Sequence, residues 1–467
     1  MNPFLCRLPL RVARRRQTER VFSEVAVVVQ IPVLIARAIP LLHQAAADKP
    51  GLVRVSVPCS LRDGALLLDW LAAQPLYPQF YWRQRDGSEE AAVCGSVRTF
   101  RDSRQARDFI REHNEPELRI WGLNAFDQMT LEAFGTLDSL LFVPRIALIR
   151  HAGNAELVVY LCSDTSLRDD LPLALAALES LCAAQPLPVL RANVTDVHHQ
   201  PEKEAWCDLL RQALDAIARK AFEKVVLARR TTLTLDAPLN AAQFLAASRQ
   251  VNHRCYHFML ALAPEQAFLG SSPERLYRRH HLTLETEALA GTVGSGENDA
   301  QAQENARWLM NDGKNQHENL LVVDDICQRL QGGAETLDVM PAEIVRLRKV
   351  QHLRRPIHAT LLQEDDADCL LRLQPTAAVA GLPREPARRF IRDEEPFERG
   401  WYAGTAGYLS LHRAEFCVAL RSALIQERQI HLYAGAGIVA GSDPQEEWLE
   451  IESKAAGLRT LLDNDAG

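Results

Sequence analysis

"FLGSSPERLYRRHHLTLETEALAGTVGSG", residues 268–296, sets Glu274 directly behind Ser-Ser-Pro and, further on, places a Gly291–Thr292 pair. The apolar "AFLG" reads as a strand whose end delivers Glu274, with Pro273 fixing the backbone just before it. Gly291 lets a backbone N–H approach a ligand closely. Together they suggest a carboxyl group fixed beside an opened backbone. Taken singly, Glu274 reads more readily as a surface carboxylate, and Gly291 equally well as a turn glycine.

Working outward, "KVVLARRTTLTL" reads as a strand opened by Lys224, with Val226 and Ala228 on the same face by period-2 alternation. Such a lysine is either a strand-end residue whose ammonium reaches water or a general base held in an environment that favours the amine. "KNQHENLLVVDDICQRL" reads as a helix with Leu320, Leu321, Val323, Cys327 and Leu330 facing inward and Glu318 in the first turn, where a carboxylate suits the helix dipole. In "EEWLEIESKAAGLRTLL", Trp448, Ile451, Ala455 and Leu458 form the packing stripe, and Glu447, Glu450 and Lys454 share a neighbouring one. A solvated Glu–Lys ladder is the ordinary meaning of that pattern. "IHLYAGAGIV" is a strand running into glycines whose amides can face an anion, although a tight turn is the commoner use. It lacks the spacing of a dinucleotide fingerprint, which excludes nucleotide binding. Arg421, in "CVALRSA", is expected in a strand, placed for two-pronged carboxylate pairing.

The 467 residues, 47% of them hydrophobic, suffice for a large core. A net charge of -7 gives no basic footprint for nucleic acid. The ten cysteines form no C-x-x-C pair, so neither zinc nor a disulfide framework is indicated, and the expected compartment is reducing, hence cytoplasmic. Residues 1–32 form an extension. "RVARRR" followed by "VAVVVQIPVLIARAIPLLHQAAA" has the order of a signal peptide, but Gln30, Pro32 and Arg37 break the apolar run. The run is also too short to span a membrane, so it is expected to lead into an amphipathic helix with no stable membrane association. Residues 33–200 read as an N-terminal α/β part rich in strands ("VRVSVP", "QFYWRQR", "LRIWGLNAF", "LLFVPRIALIR", "AELVVYLCS"), with "ALLLDWLAA" helical. Residues 185–206 read as a connection, and 201–467 as the catalytic region. Few crossover helices between many strands suggest antiparallel sheet.

The order "KVVLAR", "FLGSSPERL", "TEALAGT", "KNQHENLLVVDDI", "KVQHL", "LQPTAAVAGLP", "EFCVALRSA", "LYAGAGIV", "DPQEEWLEIESKAAGL" resembles the chorismate-utilising enzymes, most closely the isochorismate synthases of menaquinone biosynthesis. The resemblance is dense over 205–462 and looser over 53–165, where "LYPQFYWRQRDGSEEA" and "LRIWGLNAFD" carry it. It implies a large two-lobed α+β fold, mainly antiparallel sheets flanked by helices, with the active site between the lobes. It implies a monomer or homodimer acting on chorismate, adding water at C2 and expelling the C4 hydroxyl.

Carried over by that resemblance, Lys224 is the base that activates water and Glu274 the acid that protonates the leaving hydroxyl. Glu318 and Glu450 are the Mg²⁺ ligands, with Glu447 acting through water, a hard-oxygen set of the kind Mg²⁺ prefers. Gly291, Thr292, His352, Ala378, Arg421, Gly435, Gly437 and Lys454 surround the substrate. Ala290 stands where aminodeoxychorismate synthases carry a nucleophilic lysine, and Ala378 where salicylate and anthranilate synthases carry threonine. Both favour the isochorismate reading over a salicylate or anthranilate synthase. The set of carboxylates and Lys224 disfavours a silent chorismate-binding protein. Asn315 departs from the second glutamate of several relatives.

Overall fold

The computed structural model describes residues 31–61, 67–127 and 139–462. Its hub is the strand Ser139–His151, buried along most of its length because both faces are covered, and apolar there apart from Arg145, which pairs with Asp170. One edge pairs with Glu89–Phe100. The other edge is divided: Asn154–Ser163 takes its C-terminal half and Ile120–Asn124 its N-terminal end.

Two antiparallel branches leave this hub. The first runs through Glu89–Phe100, Gln79–Arg83, Tyr256–Ala263, Gln266–Ser272, Ser422–Gln426 and Gln429–Val439 to Lys224–Leu235. The second runs through Ile120–Asn124, Thr405–Leu409, Arg413–Val418, Arg275–His280 and Thr283–Gly294 to Val350–Leu361. The long segment up to residue 200 therefore pairs three times with later strands: Gln79–Arg83 with Tyr256–Ala263, Ile120–Asn124 with Thr405–Leu409, and Val194–Gln200 with Lys224–Leu235.

Strand alternation sorts side chains into two cores. Phe80, Trp82, Phe258 and Phe268 join Trp121, Tyr277, Tyr408 and Phe416 of the second branch in one core. Tyr81, Met259 and Leu269 point the other way, against the helices Ile31–Ala45, Leu67–Ala72, Leu167–Glu179 and Ala241–Val251. The helix Ile31–Ala45 is amphipathic as expected and buries Ile31, Leu34, Ala38 and Leu42. Its first two residues thus belong to the folded body rather than to the extension, whose residues 1–30 lie outside the described ones. Among the described residues no helix is long and apolar enough to cross a membrane.

Several expectations shift. The connection is shorter than 185–206, because Val194–Gln200 is a strand on Lys224–Leu235 and a helix starts at Lys203. Glu89–Phe100 is a strand that its leading glutamates concealed; Glu89 and Glu90 are buried against Arg119 and Arg150. The glycines of "AGAGIV" continue the strand Gln429–Val439 rather than forming a turn.

Where the second branch leaves the hub, Gly122 faces Gly407 across the strands. Its φ is +150°, and a Cβ there would lie 1.8 Å from the Leu140 carbonyl oxygen. Gly122→Ala should therefore destabilise the protein by roughly 2 kcal/mol or more, read as a lowered denaturant midpoint. An unchanged midpoint would show that the strand junction has room to give.

Candidate active site

Side chains from both branches and two helices close on one cavity. The first branch supplies Val226, Tyr433, Ala434, Gly435 and Gly437; the second supplies Leu289, Gly291, Thr292 and His352; the helices supply Glu318 and Lys454. Glu274 and Arg421 line it from links between strands, together with Ala378 from the loop before Gly381 and Ala290 from the strand Thr283–Gly294. The sequence-derived residues thus converge, except that Lys224, Glu447 and Glu450 stand outside the lining; Lys224 reaches it through Glu318 and Glu450 through Lys454.

Lys224 is fully buried at the start of its strand, which removes the water-reaching alternative. Its Nζ lies 3.1 Å from Glu318 Oε1, an ion pair whose angle leaves the nitrogen without a hydrogen bond. Gly437 pairs across with Val226, and a Cβ on it would come 2.3 Å from Glu318 Oε1 and 3.0 Å from Lys224 Cε. Glycine is required there because the lysine and the glutamate meet over its face. Gly435 is similarly confined by Leu227 and the Tyr402 hydroxyl. Its carbonyl accepts from Lys454 Nζ at 2.9 Å, on the edge turned away from Lys224–Leu235. By alternation the N–H groups of Gly435 and Gly437 share that edge, where strand pairing stops at Leu432.

Glu274 lies in the short link between Gln266–Ser272 and Arg275–His280, its carbonyl accepting from Val418 N at 3.1 Å. Burial, reinforced by the charge of Glu287, pushes its carboxyl up to about 8, against the opposing pull of Lys224, Lys454 and Arg85. It therefore holds a proton at neutral pH.

Glu318, Glu447 and Glu450 gather on one side. Each has a lysine: Lys224 for Glu318, Lys314 for Glu447 at 2.9 Å, Lys454 for Glu450 at 2.7 Å. Burial first, then the charge of Glu450 and more weakly of Glu318, pushes Glu447 up to about 7. Three carboxylates whose charges act on one another supply hard oxygen donors of the kind a divalent cation takes, and its charge would relieve their repulsion. The helix carrying Glu318 starts at Gly313, so Glu318 falls in its second turn rather than its first. The expected inward face holds for Leu321, Val323 and Leu330, with Cys327 partly buried, but Leu320 is exposed while Asn319 and Asp325 are buried. Asn319 explains this by donating to the carbonyls of Ala288, Ala290 and Leu353, anchoring the helix on the second branch.

Arg421 is not in a strand but in the link before Ser422–Gln426, at φ +48°. Its Nη2 lies 2.9 Å from His352 Nε2, and His352 Nδ1 lies 3.1 Å from Thr292 Oγ1. A guanidinium only donates, so Nε2 is the acceptor and Nδ1 carries the proton. Burial, then Arg421 and Lys454, holds this imidazole neutral, well below its ordinary range. Gly291, at φ +84°, packs on Asn315, whose Oδ1 accepts from Thr292 N at 3.0 Å. Asn315 thus fixes the Gly291–Thr292 backbone instead of adding a carboxylate. Sequence reasoning missed Lys314 and Tyr402. Lys314 was legible as the residue one helical turn before Glu318; nothing local marks Tyr402.

Elsewhere among the described residues, His281, Glu364 and His412 bring ligand-type atoms together. Arg279 lies 3.2 Å from the same Glu364, so that carboxylate already serves a guanidinium.

Residues 38–463 match the family model described as chorismate binding enzyme. The chain belongs to that family. Among its chorismate-binding relatives, the isochorismate synthase MenF of Escherichia coli is 53% identical over 90% of this chain and 96% of its own length. The isochorismate synthase MenF of Pasteurella multocida is 42% identical over 86% and 92%. The solved structure of the menaquinone-specific isochorismate synthase MenF from Escherichia coli superposes with a TM-score of 0.88 at 51% identity, covering 93% of this chain and all of that one.

The protonated Glu274 has a stability consequence. Its folded value of about 8 exceeds the unfolded 4.5, so the unfolded chain releases the proton first as pH rises. Its contribution to stability therefore falls between those values and stays low above them. Glu274→Gln should raise thermal stability at pH 8 by up to a few kcal/mol and give no gain below pH 4. A stability difference independent of pH would contradict a proton held in the fold.

Proposed function

We propose that this chain is an isochorismate synthase that converts chorismate to isochorismate as a step towards menaquinone, in the cytoplasm and with Mg²⁺. The observation that carries the mechanism is the placement of Glu274 in the cavity lining, holding a proton, and of Lys224 buried behind that lining against Glu318, without a hydrogen bond.

Lys224 takes a proton from the water that adds at C2. Glu274 gives its proton to the C4 hydroxyl, which leaves as water. Base and acid need opposite protonation states at one pH, and the burial of Glu274 supplies one half of that condition. Glu318 and Glu450 would hold Mg²⁺ directly and Glu447 through water; when bound, the ion offsets the negative charge of a substrate carboxylate. Arg421, Lys454 and the Gly435 and Gly437 amides receive carboxylates, and neutral His352, oriented by Arg421 and Thr292, faces the ring hydroxyl. Ala290 and Ala378 contribute no ammonium and no hydroxyl to the wall, which supports release at isochorismate.

In ¹⁸O-water with chorismate and Mg²⁺, initial product should be isochorismate carrying one label, with neither salicylate nor pyruvate. Lys224→Gln and Glu274→Gln should each lose at least ~10²-fold in kcat, and the double variant should be barely worse than either. Glu318→Gln and Glu450→Gln should be inactive but folded. Unlabelled product, or full activity in excess chelator, would overturn the reading.

A further inference from the structure

Behind Glu274 lies a second carboxyl, Glu287, 3% exposed, that the mechanism does not use. It is held by three arginines from different parts of the chain. Arg85 grips it with two prongs, Nη1 to Oε1 at 2.6 Å and Nη2 to Oε2 at 3.0 Å. Arg354 Nη1 lies 3.4 Å from Oε2, and Arg275 donates its backbone N–H to Oε1 at 2.9 Å. Arg85 Nη1 also donates to the Pro273 carbonyl at 2.7 Å. The peptide groups on both sides of Glu274 are therefore tied to one buried ion pair: Pro273 through Arg85, and Arg275 through Glu287.

Arg85 itself comes from the hairpin between Gln79–Arg83 and Glu89–Phe100, far back in the chain. Its guanidinium stands over the Tyr256 ring, and the neighbouring Gln84 donates to Glu415, which anchors the hairpin tip on the second branch. This hairpin joins the first branch to the back of the catalytic link.

We propose that Arg85 and Glu287 are a positioning pair for the Glu274 carboxyl, delivered by the N-terminal hairpin and acting through the Pro273–Arg275 backbone and through the charge of Glu287. The inference rests on the reading of Glu274 as the proton donor. The two carboxyls occupy opposite states. Burial pushes Glu287 up, but the charge and hydrogen bonds of Arg85, with help from Arg275, outweigh it and keep the group ionised. Its negative charge then opposes ionisation of Glu274, while Lys224, Lys454 and Arg85 favour it. Separating two neighbouring carboxyls in this way is how one site keeps an acid protonated at neutral pH. Arg85 prevents the reverse outcome, in which Glu287 takes the proton and Glu274 loses it.

The test is the pH dependence of kcat for the Mg²⁺-loaded full-length enzyme with chorismate, in the parent, Glu287→Gln, Arg85→Gln and Arg85→Lys. Glu287→Gln keeps the shape and the acceptor for Arg275 N but removes the charge. It should leave KM within about threefold and move the basic limb of the profile down by roughly one pH unit, so that activity falls most above neutrality. Arg85→Gln should lower kcat at every pH by about tenfold or more, with Arg85→Lys recovering part of it. In a Glu274→Gln background, neither change should lower the residual rate further. A basic limb that stays in place in Glu287→Gln, while Glu274→Gln is inactive, overturns the positioning pair and leaves the acid assignment intact. An active Glu274→Gln enzyme overturns the acid assignment itself. If Arg85→Gln fails to fold, the near-isosteric Glu287→Gln still decides.

Discussion

A carboxyl taken out of water keeps its proton, and much of the surrounding construction answers to that cost. Glu274 is 3% exposed in a link too short to let it swing to solvent. Its backbone is held by Val418 on one side and by the Arg85–Glu287 pair behind. Isolated burial of an ionised group is expensive, so a neutral acid is the form the fold tolerates. That is also the form a proton donor needs. The same site keeps His352 neutral by the same means, with Arg421 dictating which nitrogen carries the hydrogen.

The two-branched sheet makes the cavity possible. Lys224 and the glycine strand belong to one branch, and Gly291, Thr292 and His352 to the other. Neither branch alone contains both Lys224 and the His352 imidazole. Close approach demands glycine where side chains converge: Gly437 yields its Cβ space to Glu318 and Lys224, and Gly291 yields to Asn315. Packing alone thus accounts for glycine at these positions.

Local sequence disclosed the parts whose chemistry and spacing are local. Pro273–Glu274, the helix stripe around Trp448 and the strand opened by Lys224 fall in that class, and resemblance supplied their roles. What stayed hidden depended on partners distant in the chain. The leading glutamates of Glu89–Phe100 look like surface residues until Arg119 and Arg150 are placed beside them. Leu320 looked inward because apolar periodicity cannot anticipate that Asn319 beside it takes the buried position by hydrogen-bonding three carbonyls. Arg421 looked like a strand residue because a left-handed φ at a non-glycine position leaves no mark in the sequence. Arg85 and Glu287 are 202 positions apart, beyond any pattern a single sequence carries.

The central claim is that Glu274 is a neutral acid in the folded enzyme. Titration of ¹³C-glutamate carboxyl resonances by NMR tests it most directly, with the Glu274 signal assigned by its loss in Glu274→Gln. The account predicts a carboxyl that remains protonated through pH 7 and titrates at about 8. Titration in the ordinary glutamate range near ~4.3 would contradict it.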